Sequence, residues 1–228
     1  MLGKSHLIYG VTLGAAVAVI LMHPARPVAV VEAAVAGGMG GLLPDLDEPG
    51  STISNAPRIL GRITQRSLRR ATKRTPLRLL GVLAGWLIQL AAALLNIVSH
   101  ALSKLVRFVS GGHREGTHWV VVWALLSAAV FALTAPLAAL DGKPYVGIGF
   151  CVGYLSHLCS DGCTRSGIPL VPYTSLRLHL LPRLLRIRTG TAGETLFTFA
   201  YIILLTAALY VVLPHDPASL FSLVAPSS

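Results

Sequence analysis

The sequence predicts an all-α fold: a polytopic membrane helical bundle with about five spanning helices and one interfacial or re-entrant helix. Three observations predict it. Of 228 residues, 54% are hydrophobic and 12% charged, about half the roughly 25% charge of soluble domains. Five apolar runs approach the ~20 residues (about 17 at the short end) that cross a hydrocarbon core. The balance of 19 basic against 9 acidic residues, a net +10, in so apolar a chain points to cytoplasmic loops and anionic lipid. This composition excludes both a purely soluble globular protein and a disordered one. Three cysteines, in or beside apolar segments, make no disulfide framework.

The first run, 7–23, follows Lys4 in the manner of a signal peptide. His6 and Tyr9 interrupt its start, and it continues into His23-Pro24-Ala25-Arg26-Pro27 without a small-residue cleavage site. It reads as an uncleaved first span. The second, 28–44, is rich in glycine at its end (Gly37, Gly38, Gly40, Gly41) and closes on Pro44. The remaining spans are 119–140, 144–160 and 195–213. Pro24, Pro27, Pro136 and Pro144 sit in or beside the short connections. Residues 58–78 carry Arg58, Arg62, Arg66, Arg69, Arg70, Lys73, Arg74 and Arg78 and no acid. The spacing of Arg62, Arg66, Arg69, Arg70 and Lys73 fits a surface helix. No aromatic residue interleaves them, so base stacking has no platform. Nucleic acid is disfavoured, and anionic lipid head groups are the expected partner.

Segment 79–103 decides the topology. At 100° per residue, Arg78, Gln89, Asn96, His100, Ser103 and Arg107 fall within a stripe of about 60°. Such a helix can cross with its stripe toward a bundle, or lie in the interface with its stripe toward water. If it makes no net crossing, 17 basic residues share one side, against Arg26 and Lys143 on the other. If it crosses, the division is 10 to 9. The positive-inside rule selects the first arrangement. The N-terminus is then cytoplasmic and the C-terminus outside. The whole chain, 1–228, reads as one membrane-embedded domain with a basic insertion and amphipathic helix at about 52–110.

This topology brings His6, Asp45, Asp47, His113, His118, His157 and Asp161 to one membrane level on the cytoplasmic side. Carboxylates near the membrane interior need a partner or a metal, and Asp45-x-Asp47 stands there directly after Pro44. His157 and Asp161, four apart, share a helical face and can grip one ion. His113 and His118, five apart, do not, and Gly111, Gly112 and Gly116 predict a turn between them. Each motif alone also fits a structural role. Together they predict a divalent-metal site with nitrogen and oxygen donors, which suits zinc, manganese or iron, or magnesium at a carboxylate-rich half. Seven candidate ligands exceed the usual set for one zinc, so one or two ions are expected. Paired metals activate water and stabilise both oxygens in phosphoester cleavage. Asp45 or Asp47 is alternatively the group that orients or deprotonates the water. Arg114 and Arg165 adjoin the ligands and suit a phosphate, or lipid head-group anchoring. Cys159 and Cys163 turn about 200° from His157 and read as packing. Trp119 and Trp123 suit the membrane interface. Asn96 and His100 read as structural or lining.

Four blocks in this order resemble the YdjM-like family of membrane-bound, predicted metal-dependent hydrolases. They are His6; Gly41-Leu42-Leu43-Pro44-Asp45-Leu46-Asp47 with Ser51; His113-Arg114-x-x-Thr117-His118; and Gly153-Tyr154-x-Ser156-His157-Leu158-x-x-Asp161-x-x-Thr164-x-x-Gly167, closed by Pro172. The last two blocks are the specific part. The resemblance implies a prokaryotic multi-pass inner-membrane protein with an enzymatic metal site. Carried over by motif, its ligands are His6, Asp45, Asp47, His113, His118, His157 and Asp161. The family is distantly similar to zinc-dependent phospholipase C and P1-type nucleases, which implies phosphoester hydrolysis. Trp119 departs from the small polar residue that commonly follows the second histidine, which narrows the pocket. The expected function is therefore a phosphoesterase acting on a lipid or other amphiphile. The alternative is a non-enzymatic metal-binding membrane protein, a transporter or scaffold.

Overall fold

The computed structural model describes residues 1–21, 27–48, 50–73, 78–109, 116–141, 144–169, 174 and 176–213. Among them are seven α-helices: α1 (Gly3–Leu21), α2 (Pro27–Leu42), α3 (Ala56–Thr72), α4 (Arg78–Val109), α5 (Val120–Asp141), α6 (Tyr145–Gly162) and α7 (Ala192–Val212). Short 3₁₀ turns occupy Leu43–Asp47, Gly116–His118 and Arg183–Leu185. Two two-residue strands, β1 (Ile168–Pro169) and β2 (Arg177–Leu178), pair antiparallel. The fold is a helical membrane bundle. Five helices are long and apolar enough to cross a membrane: Gly3–Leu21, Pro27–Asp47, Leu79–Val106, Val120–Ala138 and Ala192–Val212.

That set differs from the expected spans at one place. Segment 144–160 forms α6 as expected, but α6 is not among the five. Ser156, His157, Ser160 and Asp161 make its second half polar, and it packs on α1, α2 and α5, so its polar groups face protein. Leu79–Val106 is among the five. Its expected interfacial placement therefore rests on the charge distribution rather than on apolar length. Other boundaries also move. His6 lies inside α1 rather than before the first span. Helix α4 runs on to Val109, and the basic helix α3 ends at Thr72, with Lys73 as its cap.

The chain divides into two compact units, Met1–Pro44 with Arg114–Ser228, and Asp45–His113. In the first, α1, α2 and α6 pack backbone against backbone. A Cβ added at Gly37 would lie 2.2 Å from the Gly10 carbonyl oxygen, and one at Gly153 would lie 2.0 Å from that of Gly37. Only glycine permits this approach, and small residues four apart recur on all three helices (Gly10/Gly14, Gly37/Gly41, Gly149/Gly153). Tyr154, Leu158, Phe150, Ala36 and Ile168 form the largest apolar cluster beside them.

In the second unit α3 packs on one side of α4. The buried positions of α4 include Gly81, Gly85, Ala92, Asn96 and Ser103, a stripe of small and polar residues. Thr72 faces Gly81, Gln65 faces Gly85 and Gly61 faces Ala92. The rest of α4 exposes Leu83, Trp86, Leu87, Leu90, Ile97 and Phe108, as a helix in contact with lipid does.

Candidate metal centre

Four side chains from three elements of the first unit meet at one point. Helix α6 supplies His157 and Asp161, one turn apart, with His157 Nε2 4.0 Å from Asp161 Oδ2. Helix α1 supplies His6, whose Nε2 lies 3.4 Å from Asp161 Oδ1 and whose ring stacks on His157 at 3.7 Å between centroids. His118 ends the 3₁₀ turn before α5. Its Nε2 lies 3.2 Å from His157 Nε2 and 3.7 Å from Asp161 Oδ2. All four are fully buried. Asp161 Oδ1 also faces the Met1 amine at 2.5 Å.

Hydrogen bonds to the far ring nitrogens fix what these rings offer. The Gly41 carbonyl oxygen, 2.7 Å from His157 Nδ1, can only accept. Nδ1 therefore carries the proton, and in the neutral ring Nε2 presents a lone pair. His6 follows from counting protons on Ser160. Its hydroxyl donates its single hydrogen to the His157 carbonyl, 2.9 Å away, so Oγ must accept from His6 Nδ1 at 3.0 Å. His6 Nε2 is then also a lone pair, and among the described residues it has no hydrogen-bond partner. A buried polar atom of this kind is costly unless something shares it. His118 is held through Nδ1, 3.2 Å from Thr117 Oγ1.

A divalent cation fits this arrangement. The ligand atoms of His118, His157 and Asp161 all lie within 4.8 Å of one another and could hold one ion. Two ligands each about 2.0–2.2 Å from a tetrahedral ion are themselves about 3.3–3.6 Å apart. Within that triad the separations are 3.2, 3.7 and 4.0 Å, so the His118 contacts are close to that and the His157–Asp161 pair is a few tenths wider. Backbone or hydroxyl partners behind each ring orient it, as supporting groups do around metal ligands.

Asp45 and Asp47 open the second unit on the 3₁₀ turn that continues α2; both are buried, so they are not the ends of a solvated loop. His113 and Arg114 lie outside the described residues. Arg165 is exposed, and its backbone N–H donates to the Ile187 carbonyl at 3.0 Å. Cys159 is exposed and Cys163 half-buried. Burial pushes the Cys163 thiol up, with Cys159 adding to the shift, and among the described residues neither cysteine belongs to a group that could hold an ion. Trp123 donates from Nε1 to the Cys151 carbonyl at 3.0 Å, a packing role beside its place near the helix start.

Several supporting residues escaped the sequence reading. Glu194, at the start of α7, is buried. It accepts from Leu2 N–H at 2.7 Å, Ser5 Oγ at 2.6 Å and Gly190 N–H at 2.7 Å, tying the first turn of α1 to α7. The signal was present as Thr191-x-x-Glu194, a capping-box spacing just before an apolar run. Ser160 had no signal beyond its place between the two ligands. Tyr154 and Gly167 stood in the motif without a role. The Tyr154 hydroxyl donates to the Thr117 carbonyl, beside His118. Gly167 has φ +63°, where a Cβ would meet the Leu178 carbonyl oxygen at 2.7 Å. Thr164 Oγ1 donates to the Asp161 carbonyl at 2.7 Å, closing the end of α6.

The family model of the YdjM inner membrane protein matches residues 1–216. The chain belongs to that family. No curated protein matches it, and no solved structure matches its fold.

Proposed function

We propose that this YdjM-family member, a multi-pass inner-membrane protein with a His/Asp cluster able to hold a divalent metal, is a metal-dependent phosphoesterase. Its substrate on this reading is a lipid or another amphiphilic phosphoester at the cytoplasmic membrane face. One observation carries it: three imidazole Nε2 atoms and one carboxylate converge where α1 and α7 begin and α6 ends. A phosphate head group arrives at that end of a spanning helix, not at its middle. Three nitrogens and an oxygen favour zinc over magnesium.

In this reading His6, His118, His157 and Asp161 are ligands, with His113 completing the set. Asp45 and Asp47 add the carboxylates. They follow, by four and six residues, the Gly41 carbonyl that holds His157. One of the two aspartates orients the attacking water and takes its proton. Arg114 and Arg165 neutralise the phosphate through paired N–H donors. A divalent ion held by His6, His118, His157 and Asp161 would supply Lewis acidity at this site. The N-terminus is cytoplasmic and the C-terminus outside, with α4 at the interface, and the basic face of α3 holds the protein against anionic head groups.

A second reading, a metal-stabilised scaffold, has one observation in its favour. The four side chains are fully buried, and structural metal sites are closed whereas catalytic ones keep an open position. A transporter is less favoured, because the cluster sits at helix ends rather than at the midplane. Purified protein reconstituted with zinc should release inorganic phosphate from phosphatidic acid, and chelation should abolish the release. Zinc-loaded, folded protein that leaves phosphatidic acid, glycerophosphodiesters and p-nitrophenyl phosphate intact overturns the enzyme in favour of the scaffold.

A further inference from the structure

A groove of about 230 Å³ opens beside the His/Asp cluster, in the first unit. It is lined by Tyr9 and Leu13 of α1, Phe197 and Tyr201 of α7, and Leu155, Ser156, Cys159, Ser160 and Cys163 on the α6 side. Two features distinguish it from an ordinary hollow on a lipid-facing helix. Its upper end touches the cluster, since Ser160 lines it and the same Ser160 Oγ accepts from His6 Nδ1 at 3.0 Å. Its direction is fixed by the helices. Helices α1 and α7 both start at the cluster's end and α6 finishes there, so the groove follows α6 back from Cys163 to Leu155, about 12 Å at 1.5 Å per residue.

The walls present carbon although they hold two tyrosines and a serine. The Tyr9 hydroxyl pairs with Thr198 Oγ1 at 2.7 Å, Tyr201 OH donates to the Tyr9 carbonyl at 3.3 Å, and Ser156 Oγ donates to the Gly153 carbonyl at 2.7 Å. Their hydrogen bonds are spent within the protein, which leaves ring faces and aliphatic carbon to the groove. An apolar slot ending at a cluster that would be cationic with a divalent ion bound matches one ligand shape, an alkyl chain carrying an anionic head.

We propose that this groove binds one acyl chain of the substrate lipid and sets its head group against the His/Asp cluster. The proposal rests on the phosphoester reading above and narrows the substrate from any amphiphile to a lipid with at least one chain of about 12 Å. The groove then sets which chain lengths fit, a selectivity that the ligand cluster by itself lacks.

The test uses full-length protein in phosphatidylcholine nanodiscs with a trace of phosphatidic acid carrying a diazirine on its acyl chain. Photocrosslinks are mapped by mass spectrometry. Crosslinks should concentrate on Leu13, Leu155, Cys159 and Phe197, at least tenfold above the exposed Leu125 and Leu133 of α5. Unlabelled phosphatidic acid should suppress them, and inorganic phosphate should not. The variant Cys159→Trp, which fills the slot, should lower crosslinking at Leu155 and Phe197 at least fivefold while metal content stays that of wild type. Crosslinks as frequent on Leu133 as on Cys159, or undiminished by excess phosphatidic acid, would mean surrounding bilayer lipid only and would overturn the groove. The readout needs no turnover. A protein that crosslinks but hydrolyses nothing loses the phosphoester reading and keeps the lipid site; one that hydrolyses without the crosslink pattern does the reverse.

Discussion

The two units of the chain both rely on glycine, but against different neighbours. In the unit that holds the histidines, each key glycine faces backbone: Gly37 faces the carbonyl of Gly10, Gly153 that of Gly37, and Gly41 that of His6. In the α3/α4 unit the glycines face side chains: Gly81 faces Thr72, Gly85 faces Gln65 and Gly61 faces the methyl of Ala92. Gln65 can rotate away from an intruding methyl, whereas a packed carbonyl cannot, and neither can the Cβ atoms of Ala92 and Thr72, which are fixed to their own backbone. The first unit therefore sets positions to a fraction of an ångström, which a ligand cluster requires. The second joins a basic helix to an apolar one, with room to adjust at Gly85, where the neighbour is the flexible Gln65.

The largest expected effect breaks that contrast if it fails. Gly37→Ala should cost about 3 kcal/mol, near the top of the overpacking range, and lower the melting temperature in detergent by about 10 °C. A shift under 2 °C would show that α1, α2 and α6 adjust as freely as the other unit. Next comes Glu194→Ala, which strands the buried Ser5 hydroxyl and removes the acceptor of the part-buried Leu2 and Gly190 N–H groups at a cost of about 2 kcal/mol, read by the same melt. Ser160→Ala removes the acceptor that fixes the His6 ring; it should weaken zinc binding about 10- to 100-fold and, by stranding the buried His6 Nδ1–H, cost about 1 kcal/mol in the melt. Unchanged zinc affinity in a competition titration would remove His6 from the ligand set. Arg69, Arg70 and Lys73 changed together to glutamine should reduce co-purifying anionic lipid severalfold at low salt, at about 1 kcal/mol per charge, with the difference shrinking as salt rises. The smallest effect is Gly85→Ala. The nearest atom there is Gln65 Cγ at 3.2 Å, so the change should be neutral or stabilising by up to about 1 kcal/mol. A large loss would place α3 and α4 under the same constraint as the first unit.

Much of this was legible in the sequence because it depends on patterns along one element. Apolar runs located α1, α2, α5, α6 and α7 within a few residues, and the four-residue spacing of His157 and Asp161 predicted a shared face, found at 4.0 Å. The convergence of His6 and His118 on that face followed from counting helix ends and charges. Other features were not legible because they depend on partners far apart in the chain. Nothing near Ser160 indicates that it would hydrogen-bond the His6 ring from 154 residues away, and nothing near Glu194 indicates that it would anchor Ser5. Run length counted 144–160 as a span and the polar stripe left 79–103 open, whereas mean hydropathy puts Leu79–Val106 among the helices apolar enough to cross and leaves α6 out, because His157, Ser160 and Asp161, which lower the hydropathy of α6, are residues it buries.

The central claim is that the His6, His118, His157 and Asp161 cluster binds a divalent ion. The most direct test is metal content per chain in detergent-purified protein, wild type beside His157→Ala, with folding checked by circular dichroism. One to two tightly held ions, zinc foremost, falling by at least one per chain in the folded variant, is the predicted result. Folded wild-type protein that carries no metal and takes up none on reconstitution would contradict it.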